Sequence, residues 1–342
     1  MVIQKENKKY ELTIIYVNYK CHHVLEESLI SLINQKYSNY IVFIVDNTPG
    51  NKEYLKIKKT QEKFKNNFKI VLLKPKYNLG YAGGNNYAIK RSYSKYILLL
   101  NCDTELAPNF LQKSIDYLNS NPQVGLLSPK MLYFRYKNLI WYAGAYLNPK
   151  SFVFTYHLGR NQKDSDQYNQ IKETAYANGT ALFVRRDVIK IVGLMDEIFF
   201  MYVEEVDWNY RARKSNYKII YFPKAVVYHK TPLITKKYKS QFRENPFKLY
   251  LSTRNIFIFT FKHFSLKVLI LFLLIYPLKA TLIESLLSIK IIPEFISSQI
   301  RAFYYGLLIG IRRRTNRSCK KIMIKEMKYL NKFEKISRST QK

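Results

Sequence analysis

Apolar residues recur along the first third of the chain in short dense runs, alternating with segments where they stand three and four apart. Leu12–Asn18, rich in isoleucine and valine, reads as a buried strand. In Val24–Gln35 the apolar positions Leu25, Leu29, Leu32 and Ile33 have the spacing of one helix face. Ile41–Asp46 predicts a second strand ending on a carboxylate, Asn51–Asn66 a polar helix, and Lys69–Leu73 a third strand. A glycine-rich stretch follows and reads as a loop, with Ala88–Ser92 in the helix after it. Tyr96–Leu100 predicts a fourth strand, closed by Asn101-Cys-Asp103. Pro108 stands where a helix starts, and Phe110–Leu118 has helical periodicity. Such alternation predicts an α/β fold with a mostly parallel sheet, whose ligands bind beyond the carboxyl ends of the strands.

Farther along, Tyr133–Glu173 is aromatic and reads as irregular. Asn178–Arg185 is strand-like, Arg186–Val192 predicts a short helix, and Ile219–Phe222 and Val226–Tyr228 predict two more strands. Beyond about residue 245 the pattern changes. Ile256–Leu278 is strongly apolar but broken by Lys262, His263 and Lys267, and its longest charge-free run, Val268–Leu278, contains Pro277. A membrane span needs about 18–20 apolar residues. A second short run, Ala302–Ile311, precedes the basic Arg312-Arg-Arg314. Short apolar runs flanked by cations predict in-plane or re-entrant contact with a membrane surface, the alternative being a buried helical extension of the soluble core. The expected division is an α/β domain over residues 1–245 and a helical, membrane-associating region over 246–342.

The 342 residues carry 57 Lys and Arg against 24 Asp and Glu, a formal charge of +33. That balance favours an anionic partner: a phosphorylated substrate, an anionic membrane surface or a nucleic acid. Basic residues and tyrosines are spread through the chain without a nucleic-acid motif, so no nucleic-acid partner is expected. Cys21, Cys102 and Cys319 are far apart in sequence, which argues for neither a zinc site nor a disulfide framework and fits a reducing compartment. The first apolar run begins a strand pattern, and no signal peptide is expected.

Chemistry enters at the strand ends. Asp46 suits recognition of a base or ribose, and Asp103 suits a hard divalent cation such as Mg²⁺ or Mn²⁺. His229, also at a strand end, is a further candidate ligand and tilts the choice towards Mn²⁺. In Asn78–Asn86, Gly80, Gly83 and Gly84 permit close backbone approach, while Asn78, Asn85 and Asn86 offer amides; the spacing is neither a P-loop nor a dinucleotide fingerprint. The acidic segment places Glu204, Asp207 and Arg211 on one helical stripe, with Glu205 beside them. Crowded carboxylates raise one another's pKa, which suits a general base taking a proton from an alcohol. Arg211 and Arg213 offer the alternative of a salt-bridged face.

Ile14–Tyr19, Ile44–Asn47, Asn78–Asn86, Asn101–Asp103, Asn178–Leu182 and Gly193–His229, in this order, resemble the family 2 glycosyltransferases, in particular the rhamnosyltransferase-like branch. The resemblance spans about residues 10–255. It implies a GT-A, Rossmann-like fold and an inverting, single-displacement transfer. It also implies a nucleotide near Asp46, metal–diphosphate binding by Asp103 with His229, and a base in the Glu204-Glu205 pair, with Glu205 favoured. Asn18, Asn101 and Gly179 join the donor-binding set with their motifs. Asn101 replaces the first acid of a DxD motif and offers a neutral carbonyl only. The expected enzyme moves L-rhamnose from dTDP-rhamnose to a lipid-linked glycan or surface polysaccharide, at the cytoplasmic face of the cell membrane. The rival readings are a UDP- or GDP-sugar donor, a protein acceptor, or a non-enzymatic basic binding module.

Overall fold

Continuous apolar runs become strands buried on both faces, as expected in a covered parallel sheet. In β1 (Leu12–Asn18) only Val17 is partly accessible, and β2 (Tyr40–Asp46) and β4 (Tyr96–Leu100) are buried throughout. The structure, a computed structural model, describes residues 10–148, 155–231, 246–271, 274, 293–314, 319, 322 and 326. Between the strands lie α1 (His22–Ile33), α2 (Lys52–Phe64), β3 (Ile70–Leu73) and α3 (Gly80–Ile89). Then come β5 (Thr104–Leu106), α4 (Phe110–Ser120), β6 (Val124–Tyr133), β7 (Ile140–Tyr142), β8 (Ala145–Leu147), β9 (Thr155–His157) and β10 (Lys172–Glu173). β11 (Ala181–Arg185), α5 (Arg186–Val192), α6 (Glu204–Lys214) and β12 (Lys218–His229) follow.

Among the described residues ten strands form one sheet, whose main path is β10-β12-β6-β11-β4-β1-β2-β3. β3, β2, β1 and β4 run parallel. β11 is antiparallel to both β4 and β6, so β6 and its parallel neighbour β12 point the same way as β4. This register brings the chemically distinctive residues to one edge. Asn18 pairs with Asp46 at the carboxyl ends of β1 and β2. Asn101–Asp103 leave the same end of β4, and Asn178–Thr180 enter β11 there, since Ala181 pairs with Leu100. His229 ends β12 opposite Thr104.

Three segments differ from the expectations. Residues 133–173 hold β7 to β10, with β8 and β9 forming a ribbon of their own. β6 is buried at every position although it contains Pro129 and Lys130. The Lys130 ammonium is accommodated by ion pairing to Asp164 (2.8 Å) and a hydrogen bond to Asn169 (2.5 Å). The two strands expected after residue 218 are one strand, irregular between Phe222 and Val226, where Pro223 has no N–H to give the ladder.

The chain divides into two units. The first, described over residues 10–146, 156–200 and 204–231, holds the sheet and a core that includes Ile15, Phe43, Leu99, Leu182 and Trp208. The second contains α7 (Pro246–His263) and α8 (Pro293–Arg314). A Cβ on Gly306 would lie 2.8 Å from Phe257 Cβ, and one on Gly310 2.6 Å from Phe261 Cβ, so these glycines let the helices approach closely. Buried Arg254 donates to Glu326 (2.9 Å), which also accepts from Tyr250 (2.7 Å). Within the same unit Asn255 donates to the carbonyls of Met201 (2.9 Å) and Tyr202 (2.7 Å). The apolar run from Ile256 is described as far as Leu271 and again at Leu274; the rest of Val268–Leu278 lies outside the described residues. Among the described residues no helix is long and apolar enough to cross a membrane.

Candidate active site

The acidic segment forms the first turn of α6, where the unpaired N–H groups of a helix favour negative charge. Phe200, Tyr202 and Val203, just ahead of it, have φ of 62°, 73° and 72°. Left-handed backbone is costly for these residue types, above all for β-branched valine, and such conformations cluster at functional sites. The acids occupy different surroundings. Glu204 is 4 % exposed, and its Oε2 has no hydrogen-bond partner. Burial, and then the charge of Glu205, push the Glu204 carboxyl well above the usual carboxylate range. Glu205 is partly accessible. Asp207 is fully buried and accepts from Arg211 Nε (2.8 Å), whose guanidinium also binds the carbonyls of Val192 and Leu194 (2.7 Å to the latter). Trp208 Nε1 donates to Gly193 (2.9 Å), so Asp207, Trp208 and Arg211 tie α6 to the segment before it. Asn209 donates to the carbonyls of Ala177 (3.1 Å) and Glu205 (2.7 Å) and accepts from Ala177 N–H (2.9 Å), which fixes the acidic turn beside the entry to β11.

The Glu204 environment has a measurable sign. A carboxyl whose folded pKa is raised contributes stability that is full below its ordinary value of 4.5 and is lost as pH rises through the raised value. Glu204→Gln keeps the neutral form at every pH. It should melt within a degree of wild type near pH 4.5 and above it at pH 8, by about 2–4 °C for each 1 kcal/mol recovered. A variant melting below wild type at pH 8 would show that Glu204 is held as a needed anion.

At the carboxyl end of β2, Asp46 is fully buried. Its Oδ1 accepts from Asn18 Nδ2 (3.2 Å) and Thr48 N–H (3.0 Å), and its Oδ2 from Lys74 Nζ (2.6 Å). Lys74, remote in sequence from Asp46, was not singled out by sequence reasoning. The glycine-rich stretch is helical from Gly80, not a loop. Asn78 Oδ1 accepts from Gly80 N–H (2.9 Å), and Asn85 Nδ2 donates to the Tyr81 carbonyl (3.0 Å). Gly80 has φ +70°, and a Cβ there would collide with the Phe200 carbonyl; on Gly83 one would meet Leu79 Cβ at 2.8 Å, and on Gly84 the Asn47 amide at 2.8 Å. Here the glycines serve close packing of chain on chain. Tyr81, on the same helix, donates to the carbonyl of Gly179. Burial and then the charges of Glu204 and Glu205 raise its pKa, so the acids and the Gly179 turn are neighbours.

The last pair closes the edge. His229 Nε2 lies 3.2 Å from Asp103 Oδ2, and Lys230 N–H donates to the Asp103 carbonyl (2.8 Å). Burial pushes the Asp103 carboxyl up, but its hydrogen bond to His229 and the imidazole charge leave it below the usual range. Asp103 keeps 38 % of its side chain exposed, whereas His229 is almost wholly buried, edge-on to the Trp141 ring at 4.6 Å. Asn101 N–H donates to the Thr180 carbonyl (3.0 Å), joining this loop to the Gly179 turn.

Residues 13–192 match the family model described as glycosyl transferase family 2, more than half of the chain. The chain belongs to this family. Across 90 % of its length it is 24 % identical to the low-salt glycan biosynthesis hexosyltransferase Agl10 of Haloferax volcanii, covering 93 % of that protein. A shorter match, 26 % identity over 33 % of the chain and 42 % of the relative, is to the Escherichia coli UDP-Glc:alpha-D-GlcNAc-diphosphoundecaprenol beta-1,3-glucosyltransferase WfgD. Among solved structures, S. aureus TarS 1-349 in complex with UDP-GlcNAc superposes with a TM-score of 0.57 at 16 % identity, covering 97 % of this chain and 91 % of that one. The mannosyltransferase PcManGT of Pyrobaculum calidifontis, in complex with GDP-Man and Mn²⁺, gives 0.54 at 13 % identity, over 90 % and 88 % of the two chains. The expected GT-A architecture is thus the observed one, and this family 2 chain is a glycosyltransferase.

The family implies a divalent cation, and the residues present fit one. A carboxylate and an imidazole already converge at one point, an oxygen–nitrogen donor set suited to Mg²⁺ or Mn²⁺. Among the described residues no third His, Cys, Asp or Glu completes such a cluster. The remaining ligands would come from substrate oxygens or water.

Proposed function

We propose that this family 2 glycosyltransferase moves a hexose from a nucleotide donor to a hydroxyl of a lipid-linked glycan or polysaccharide, with inversion and with Glu205 as general base. The observation that carries the reading is the gathering of Glu204-Glu205, Asp103–His229 and Asp46 at the carboxyl edge of one sheet. Glu205, half-buried beside a Glu204 that favours its neutral form, takes the proton of the acceptor hydroxyl. The acceptor oxygen forms a bond to the anomeric carbon as the carbon–phosphate oxygen bond breaks, and the nucleoside diphosphate leaves with that electron pair. Asp103 and His229 would hold a Mg²⁺ or Mn²⁺ ion, which supplies neutralisation of charge on the departing diphosphate. Asp46, Asn18 and Lys74 form the nucleoside end, with Lys74 adding a cation that Asp46 holds in place. Asn78, Gly80, Gly83, Asn85, Asn101 and Gly179 shape the donor cleft through backbone and packing. Asp207 acts by anchoring α6 through Arg211.

The relatives' names favour a UDP- or GDP-hexose over dTDP-rhamnose, and WfgD acts on a diphosphoundecaprenol-linked sugar. A lipid-linked acceptor agrees with α8, where Ile300, Phe303, Tyr304 and Ile311 are exposed alongside Arg301, with Arg312 partly accessible. We assign this face to an anionic membrane surface, at the cytoplasmic side where nucleotide sugars are made. The test is a panel of UDP-, GDP- and dTDP-sugars, dTDP-rhamnose included, with Mg²⁺ or Mn²⁺ and a prenyl-diphosphate-linked sugar. Release of nucleoside diphosphate with acceptor-dependent product is expected for one donor. A folded protein that turns over none of them contradicts the reading.

A further inference from the structure

The turn that carries Glu204 and Glu205 starts without a side-chain cap. α6 begins at Glu204, so Val203 occupies the position ahead of it. A side-chain oxygen usually ties down the first N–H groups from there, and valine has none. Tyr202 and Val203 are left-handed, with φ of 73° and 72°. Bulky residues persist in that conformation only where their surroundings enforce it.

One such constraint comes from α7. Met201–Val203 belongs to the helical unit, as does Asn255, which is fully buried. Asn255 Nδ2 donates to the carbonyls of both Met201 (2.9 Å) and Tyr202 (2.7 Å). The amide can stand only this way round. Arg254 Nη1 lies 2.5 Å from Asn255 Oδ1, and a guanidinium can only donate. Turned over, the amide would set its N–H groups against the guanidinium and its oxygen against two carbonyls. Arg254 in turn donates to Glu326 (2.9 Å), which also accepts from Tyr250 (2.7 Å). A buried chain of hydrogen bonds thus runs from Tyr250 and Glu326 through Arg254 and Asn255 to the backbone immediately ahead of Glu204.

We propose that Asn255 is a positioning residue for the general base: by holding the Met201 and Tyr202 carbonyls it fixes where α6 starts and so where Glu205 stands. This role rests on the reading of Glu205 as base. It adds that a residue of the helical unit sets part of the geometry of the transfer step. Misplacing a catalytic group by about 1 Å can cost about 10²-fold in rate.

The test uses the full chain and three variants. Asn255→Asp keeps the shape but turns an acceptor towards both carbonyls, and Asn255→Ser shortens the side chain. Thr253→Val is the control, since buried Thr253 of the same helix donates to Gln299 of α8 (2.9 Å). Hydrogen exchange of peptides covering residues 203–209 should be about tenfold faster in both Asn255 variants, with peptides of β2 unchanged. Transfer from UDP-glucose, UDP-GlcNAc, GDP-mannose and dTDP-rhamnose to a prenyl-diphosphate-linked sugar is read alongside. For the donor used, kcat should fall by about 10–100-fold, while UDP and GDP affinity in Mn²⁺ stays within about twofold. Thr253→Val should match wild type in exchange and in transfer. The role is overturned if a folded Asn255 variant exchanges or transfers as wild type does, or if Thr253→Val slows transfer as much. Failure of both Asn255 variants to fold makes the residue one of stability and overturns it too. Glu205→Gln is assayed beside them. Full transfer by Glu205→Gln sinks the base assignment alone, whereas slow Glu205→Gln beside unaffected Asn255 variants sinks the Asn255 role alone. If wild type turns over no donor, the proposed transfer fails, and exchange still decides whether Asn255 holds the turn.

Discussion

Glu205→Gln is expected to lower sugar transfer by about 10²–10⁴-fold, the usual contribution of a positioned general base. The two glutamates share the first turn of α6 but not a role. Glu204 is buried, its Oε2 is unpartnered, and its pKa is driven up by burial and by the neighbouring charge. A neutral carboxyl is a far weaker base than a carboxylate, and it does not repel the neighbouring carboxylate as a second anion would. Glu205, on the same turn, is partly accessible as a residue, although its Oε2 is itself buried. Its backbone is fixed by Asn209, so the amide variant should retain the turn. Nucleoside diphosphate affinity should stay within about twofold of wild type while kcat falls, because the loss is confined to the transition state. A Glu205→Gln enzyme transferring at more than a tenth of the wild-type rate, beside an inactive Glu204→Gln, would reassign the base to Glu204.

Asp103→Asn is expected to cost about 10²–10³-fold in kcat/KM, since stabilising charge on a departing diphosphate is worth several kcal/mol. Of the three side chains Asn101, Asp103 and His229, Asp103 alone is a carboxylate; Asn101 brings a neutral carbonyl and His229 an imidazole. Removing the Asp103 charge leaves His229 as the only other donor of the pair. Mn²⁺ affinity, read by electron paramagnetic resonance of the free ion in the presence of UDP, should fall in step with activity. His229→Ala should lose less of the affinity, because the anionic ligand remains. Full activity in Asp103→Asn with unchanged Mn²⁺ binding would remove the pair from the reaction.

Much of the edge was legible in the sequence because its residues sit at the ends of strongly patterned elements. Leu12–Asn18, Ile41–Asp46 and Tyr96–Leu100 are dense apolar runs, and each needs only local information to read as a strand. What escaped depends on distant partners. β6 was hidden by Pro129 and Lys130, and Lys130 is tolerable in a buried strand only because Asp164 and Asn169 reach it from a later loop. The glycines of α3 suggested a loop because glycine is a poor helix former, yet Gly80 and Gly84 are there to admit Phe200, Val17 and Asn47. Asp207 stood on the same stripe as Glu204. Its engagement with Arg211 was an open alternative from spacing alone, settled by the carbonyls of Val192 and Leu194 that hold the guanidinium. Lys74 entered only once the parallel register had brought the end of β2 beside it.

Crystals grown with Mn²⁺ and the nucleoside diphosphate that the enzyme releases test the central claim most directly, by the anomalous signal of the metal. The account predicts one strong peak at Asp103 and His229, with the nucleoside lying towards Asp46 and the diphosphate on the Glu205 side of the same edge. A nucleotide bound away from the carboxyl ends of β1, β2 and β4, with Asp103 and His229 still touching only each other, would contradict it.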